Sequence, residues 1–162
     1  MNFTTRHLLA TTAAMLALAG CASTQGPKTI ADTTAATPQL STLNKLVIDA
    51  GLAETLRGAG PYTVFAPSDD AFKAVPKATM DALAKDKELL KSVLSYHVLP
   101  GKVTADAVKN GNAKTVQGDN VALARAGTFV TVEDALVTQA NVDASNGVVH
   151  VIDKVLMPPK KK

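Results

Sequence analysis

The hydrophobic period of the chain changes at Pro100 and Gly101, and that change limits what the whole can become. Before the pair, apolar residues recur at helical spacing, first in Leu43, Leu46, Val47 and Ala50 and later in Leu89, Leu90, Val93 and Leu94. After it, short runs rich in β-branched residues are separated by the turn pairs Gly118-Asp119, Ala126-Gly127 and Asn146-Gly147. A pattern with a period of about 3.6 does not lie still as a strand, and one with a period of about two does not lie still as a helix. Helices in the first half packed on a largely antiparallel sheet in the second make an α+β domain. With 162 residues, 46% of them apolar, the chain has enough material for one core and one domain.

The expected elements follow from caps and breakers. Ser41 or Thr42 caps a first helix that Gly51 ends, and a short helical segment at 52–56 runs into Gly58, Ala59, Gly60 and Pro61, which must turn the chain. Residues 62–66 read as a strand stopped by Pro67. Ser68 then caps a helix whose Asp69 and Asp70 suit the positive end of its dipole. Pro76 opens a helix to Lys85, and Asp86 caps another. Beyond Gly101, one helical turn at 105–109 interrupts strands predicted over 114–116, 121–125, 128–133, 136–143 and 148–155, and Asn146-Gly147 is a strong hairpin signal.

Residues 1–20 read as a secretory leader, with Arg6 ahead of an Ala- and Leu-rich stretch at 8–18. Eleven helical residues would span about 16 Å, too short for the hydrocarbon core of a bilayer. The leader ends in Leu18, Ala19, Gly20 and Cys21, which resembles the bacterial lipobox and implies a diacylated Cys21 as the first mature residue. The rival reading is an ordinary signal peptide followed by a free thiol. Ala22 after the cysteine implies, by resemblance to Gram-negative lipoproteins, sorting to the outer membrane, facing the periplasm or the cell surface. Residues 21–39 are poor in bulky apolar side chains and read as a flexible tether, leaving a domain at 40–159 and a basic tail, Lys160, Lys161 and Lys162.

Three ordered segments carry a family resemblance: YTVFAPSDDAF at 62–72, Tyr96-His97 between branched aliphatics, and NGVVHVIDKVLMP at 146–158. Together they resemble the signatures of the fasciclin domain. The resemblance implies a twisted β-wedge flanked by helices, in a secreted or surface-attached adhesion module with no common catalytic mechanism. It also implies an interaction role for Tyr96, His97, Val98 and Leu99, because in animal members the Tyr-His region is linked to receptor binding.

The residues have physical readings of their own. Phe65 and Phe72 are expected in the core, Pro67 and Ser68 form a corner and cap, and Asn146 and Gly147 form the hairpin. Alternation places Val149 and Val151 on one strand face, and Val148, His150 and Ile152 on the other. Histidines at 97 and 150 read as hydrogen-bonded core residues; a zinc site shared by them would lack further ligands, and Asp69 with Asp70 falls short of a calcium loop. No metal or cofactor site is expected. Ser68, His97 and an aspartate (Asp69, Asp70 or Asp153) could be drawn as a hydrolase triad, but the Gly-x-Ser-x-Gly elbow is absent and capping accounts for the serine.

Seventeen basic residues against 14 acidic become 13 against 14 once Arg6 and the three tail lysines are set aside, so no nucleic-acid footprint is expected on the domain. The tail itself reads either as solvated or as attracted to anionic lipid. The preferred function is a non-catalytic, lipid-anchored, monomeric module that binds a protein or polysaccharide of the envelope or matrix. A periplasmic carrier or sensor of small ligands or lipids is the alternative, and a hydrolase the weaker one.

Overall fold

Two parallel strands that lie far apart in the sequence form the centre of the fold in the computed structural model, which describes residues 28–159. Strand β1 (Tyr62–Pro67) lies beside β7 (Gly147–Ile152), in register from Tyr62 opposite Gly147 to Pro67 opposite Ile152. Every residue of β7 is buried because both of its faces are covered. Val64, Ala66, Val149 and Val151 enter a core shared with the helices. Phe65 and Ile152 point the other way, into a second core with Leu99, Val121, Val130 and Val132.

The remaining strands are β2 (Val98–Pro100), β3 (Gly111–Lys114), β4 (Asn120–Ala126), β5 (Phe129–Val132) and β6 (Ala135–Ala144). The sheet order is β2-β1-β7-β6-β5-β4-β3, and only β1 and β7 are parallel. Strand β6 shifts register on either side of Gln139, and Asn141 within it has φ of 56°. Such bulges bend a strand and raise its twist. The two ends of the sheet come together where the Val116 N–H donates to the Val98 carbonyl at 2.8 Å, so the sheet curls into a wedge.

Helices α1 (Ile30–Ala36), α2 (Ser41–Asp49), α3 (Ala53–Arg57), α4 (Asp69–Ala74), α5 (Lys77–Lys85) and α6 (Lys87–Tyr96) complete the fold. The Ser68 hydroxyl accepts from the Ala71 N–H, and the Asp86 carboxylate accepts from the N–H groups of Glu88 and Leu89. Both caps sit where the sequence puts them.

Three expectations need correction. The tether read at 21–39 is helical from Ile30: Thr29 and Asp32 form a reciprocal capping box, and Ile30 is fully buried. A segment poor in apolar side chains folds here because one well-placed isoleucine docks and the cap satisfies the helix end. Helix α2 is not capped by its own Ser41 or Thr42; it continues a 3-10 turn at Pro38–Leu40. The strand expected at 114–116 lies at Gly111–Lys114, because Thr115 turns away to bond the Asp119 carbonyl through both its N–H and its hydroxyl.

Candidate functional site

The corner at residues 62–72 is built from β1, its terminal proline and the capped helix α4. Phe65 is fully buried, Phe72 is buried, and the Ser68 N–H donates to the Ile152 carbonyl at 3.0 Å, which fastens the corner to the end of β7. Asp69 acts across elements: its carboxylate accepts from the Thr42 N–H and the Ser41 hydroxyl, each at 2.8 Å. It therefore supplies the cap that α2 lacks. Burial alone would raise the pKa of Asp69, but these hydrogen bonds outweigh it and hold the carboxyl below its usual range. Asp70 pairs with the exposed Lys73 ammonium at 2.8 Å. Beside them opens an acidic recess of about 630 Å³ lined in part by Ser68, Asp69, Asp70, Thr138 and Asp153.

Tyr96, His97, Val98 and Leu99 do not form an exposed recognition loop. All four are buried, with 2 to 7% of each residue's surface accessible, and a partner could not touch their side chains without opening the fold. They are buried because the segment after α6 enters the sheet as β2, with Val98 opposite Val64 and Leu99 opposite Thr63. The Tyr96 hydroxyl donates to the Asn120 carbonyl at 3.0 Å, with a Glu133 carboxylate oxygen at 3.3 Å. Burial, reinforced by the Glu133 charge, pushes Tyr96 up to about 12.

The two buried histidines hold opposite tautomers. At His97 the Leu156 N–H donates to Nε2 at 3.0 Å, so the proton resides on Nδ1, which donates to the Val93 carbonyl at 2.8 Å. At His150 the Asn141 N–H donates to Nδ1 at 3.1 Å, so Nε2 carries the proton and donates to the Val103 carbonyl at 2.8 Å. Phe65, its neighbour in register, stacks on the His150 ring with centroids 5.7 Å apart. Desolvation lowers His97 to about 4 and lowers His150 as well, against an opposing backbone hydrogen bond in each case. Each ring latches chain segments together, and neither has a nitrogen left for a metal or a serine. The triad drawn from Ser68 and His97 is not assembled, since the serine hydroxyl caps α4 and both imidazole nitrogens bond backbone. Among the described residues no cluster of three or more His, Cys, Asp or Glu is placed to hold a metal ion.

The sequence marked Asn146 and Gly147 as a turn and missed their larger task. Ala144 pairs with Gly147, so the two loop residues are Ser145 and Asn146. The Asn146 carboxamide accepts from the Ile30 N–H at 2.9 Å and donates to the carbonyls of Leu56 and Gly58 at 2.7 and 2.9 Å. Its own carbonyl accepts from the Tyr62 N–H at 3.0 Å. One side chain thus joins α1, the end of α3 and the hairpin. At Gly147 an added Cβ would collide with the Tyr62 carbonyl oxygen and stand 2.9 Å from Ile30 Cδ1, so close packing of backbone requires glycine there.

An apolar cavity of about 30 Å³ lies among Leu43, Val47, Leu56, Val64, Leu94 and Val98. Ligand pockets run to about 300–1,000 Å³, so this space does not hold a drug-sized molecule. Cys21 and Lys160 to Lys162 lie outside the described residues.

A mixed-sheet wedge closed by a terminal parallel strand and flanked by helices defines the fold class, and comparison names the family. The chain belongs to the fasciclin domain family, whose model matches residues 38–158. It is 43% identical over 140 residues to protein sll1483 of Synechocystis sp., covering 85% of this chain and 78% of that one. Against the cell surface glycolipoprotein MPB83 of Mycobacterium bovis identity is 41% over 127 residues, covering 75% of this chain and 57% of the relative's length. A FAS1 domain pair from the insect cell adhesion molecule fasciclin I has the same fold, with a TM-score of 0.65 at 18% identity over 81% of this chain and 51% of the other.

Proposed function

We propose that the protein is a lipid-anchored, non-catalytic fasciclin module of a bacterial envelope, held at Cys21, that makes adhesive contacts with a protein or polysaccharide. The observation that carries this reading is the combination of a lipobox-like sequence at 18–21 with a fasciclin domain matched from residue 38 onward. The name of the mycobacterial relative, a cell surface glycolipoprotein, agrees with it. The side chains that chemistry would need are already committed to backbone: Ser68 to a helix cap, His97 and His150 to four main-chain partners. With the Tyr96 to Leu99 segment buried, the contact surface is one of the exposed faces.

Two measurements test it. Intact mass of native protein is expected to show diacylglyceryl on Cys21, and a free thiol on a freely diffusing chain refutes the anchor. Purified chain is expected to bind isolated envelope polymers or proteins saturably. Saturable thermal stabilisation by lipids or cell-wall fragments without polymer binding would replace adhesion with carriage.

A further inference from the structure

The stretch that follows β7, residues 154–159, is held to the domain at few points. Its root is firm: the Asp153 N–H donates to the Leu136 carbonyl at 3.1 Å, and the Asp153 carboxylate accepts from the Leu136 N–H at 2.7 Å. Beyond that root, among the described residues, one hydrogen bond ties the stretch down, from the Leu156 N–H to His97 Nε2. Leu156 is buried in the second core and Val155 is half-buried, whereas Lys154, Met157 and Pro159 are exposed. The stretch is a strap with one buried side chain and one polar contact, and the acceptor in that contact is titratable.

The ring has a single place for another proton. Its Nδ1 already donates to the Val93 carbonyl, so the proton goes to Nε2, where it faces the Leu156 N–H, donor against donor. No charged side chain faces the ring to share that proton. The surrounding elements present Leu43 and Val47 from α2, Leu94 from α6 and Val98 from β2, and β1 meets its main chain through the Phe65 N–H. Titratable side chains on these elements are engaged elsewhere or exposed. Tyr96 bonds Asn120 and Glu133, Asp153 bonds Leu136, and Lys45, Glu88, Lys91 and Lys154 are exposed. His150, the other buried imidazole, bonds Asn141 and Val103 rather than the strap.

We propose that residues 154–159 form a proton-gated strap: a proton taken up at His97 releases them from the wedge, while Asp153 keeps its hold on Leu136 and the sheet stays paired. The open strap lets water reach Nε2 and accept from it. Closure is favoured by the neutral ring, so it is complete above the ordinary histidine value of 6.5, weakens as pH falls below that, and weakens no further below about 4. Between pH 8 and pH 5 the open fraction rises about five- to thirty-fold, the larger figure applying to a ring fully hydrated in the open state.

The test is amide hydrogen exchange resolved by NMR on the chain from residue 22, which contains every described element. The Leu156 amide is expected to exchange through an opening that hardly responds to dilute urea and is easier than that of Val149 in β7. Its protection is expected to fall about five- to thirty-fold from pH 8 to pH 5. In His97→Gln, whose amide oxygen still accepts from Leu156, that fall is expected to vanish. Leu156→Ala loosens the strap from the other side and is expected to move the titration of the His97 ring upward, towards its ordinary value. The proposal is overturned if Leu156 and Val149 share one protection and one urea dependence, since the strap then opens only with the whole domain. A local opening indifferent to pH, the same fall in His97→Gln, or a ring titration that Leu156→Ala does not move also overturns it.

Discussion

Acidification should loosen this fold from about pH 6.5 downward, and His97 is the reason. The ring is buried, its Nε2 is occupied by the Leu156 N–H, and its folded-state pKa lies at about 4 against 6.5 for the free side chain. The unfolded chain therefore binds the proton more readily. The stabilisation is complete above the unfolded value, declines as pH falls below it, and is gone once pH passes below the folded value. A shift of this size corresponds to about 3 kcal/mol in all, of which about 2 kcal/mol is lost between pH 8 and pH 5. His150, also lowered by burial, adds in the same direction. Asp32 and Asp69 do not interfere: their folded pKa values lie below 3.8, so their contribution disappears only at stronger acidity. Urea unfolding at the two pH values, followed by circular dichroism on the chain from residue 22, measures the difference. In His97→Gln the amide oxygen still accepts from Leu156 but nothing titrates, so the loss between pH 8 and pH 5 should shrink by about 2 kcal/mol although the variant begins less stable. An identical loss in both proteins would refute the reasoning.

Two further perturbations examine the hub around Asn146. Asn146→Ala removes three hydrogen bonds and is expected to cost about 3 kcal/mol in chemical denaturation; a cost near zero would show that water replaces them. Ile30→Ala is expected to cost about 3 kcal/mol because the side chain is fully buried, whereas a residue in a free tether would change stability by less than about 0.5 kcal/mol.

Local chemistry made much of this domain legible. Ser68, Pro76 and Asp86 announced their helices because caps and prolines act within a few residues, and alternation at 148–152 assigned the two faces of the central strand. What depended on distant partners could not be read. Asp69 resembles a first-turn acid until Thr42 is seen to donate to it, and the Asn146 side chain looks like turn chemistry until Ile30 arrives from 116 residues away. The family resemblance marked the Tyr96 to Leu99 segment, which follows a helix, for interaction, but backbone pairing with β1 draws it inside. The capping box at Thr29 and Asp32 was in view and would have revealed α1; low apolar content masked it.

The parallel pairing of β1 with β7 also governs when the protein becomes a protein. A chain delivered from its N-terminus holds β1 without the neighbour that covers it until residues 147–152 have emerged. Pairings so remote in sequence form late and slowly, after loop closure has been overcome. For most of its synthesis the polypeptide is thus an incomplete fold, and its central sheet closes only when its last tenth has emerged.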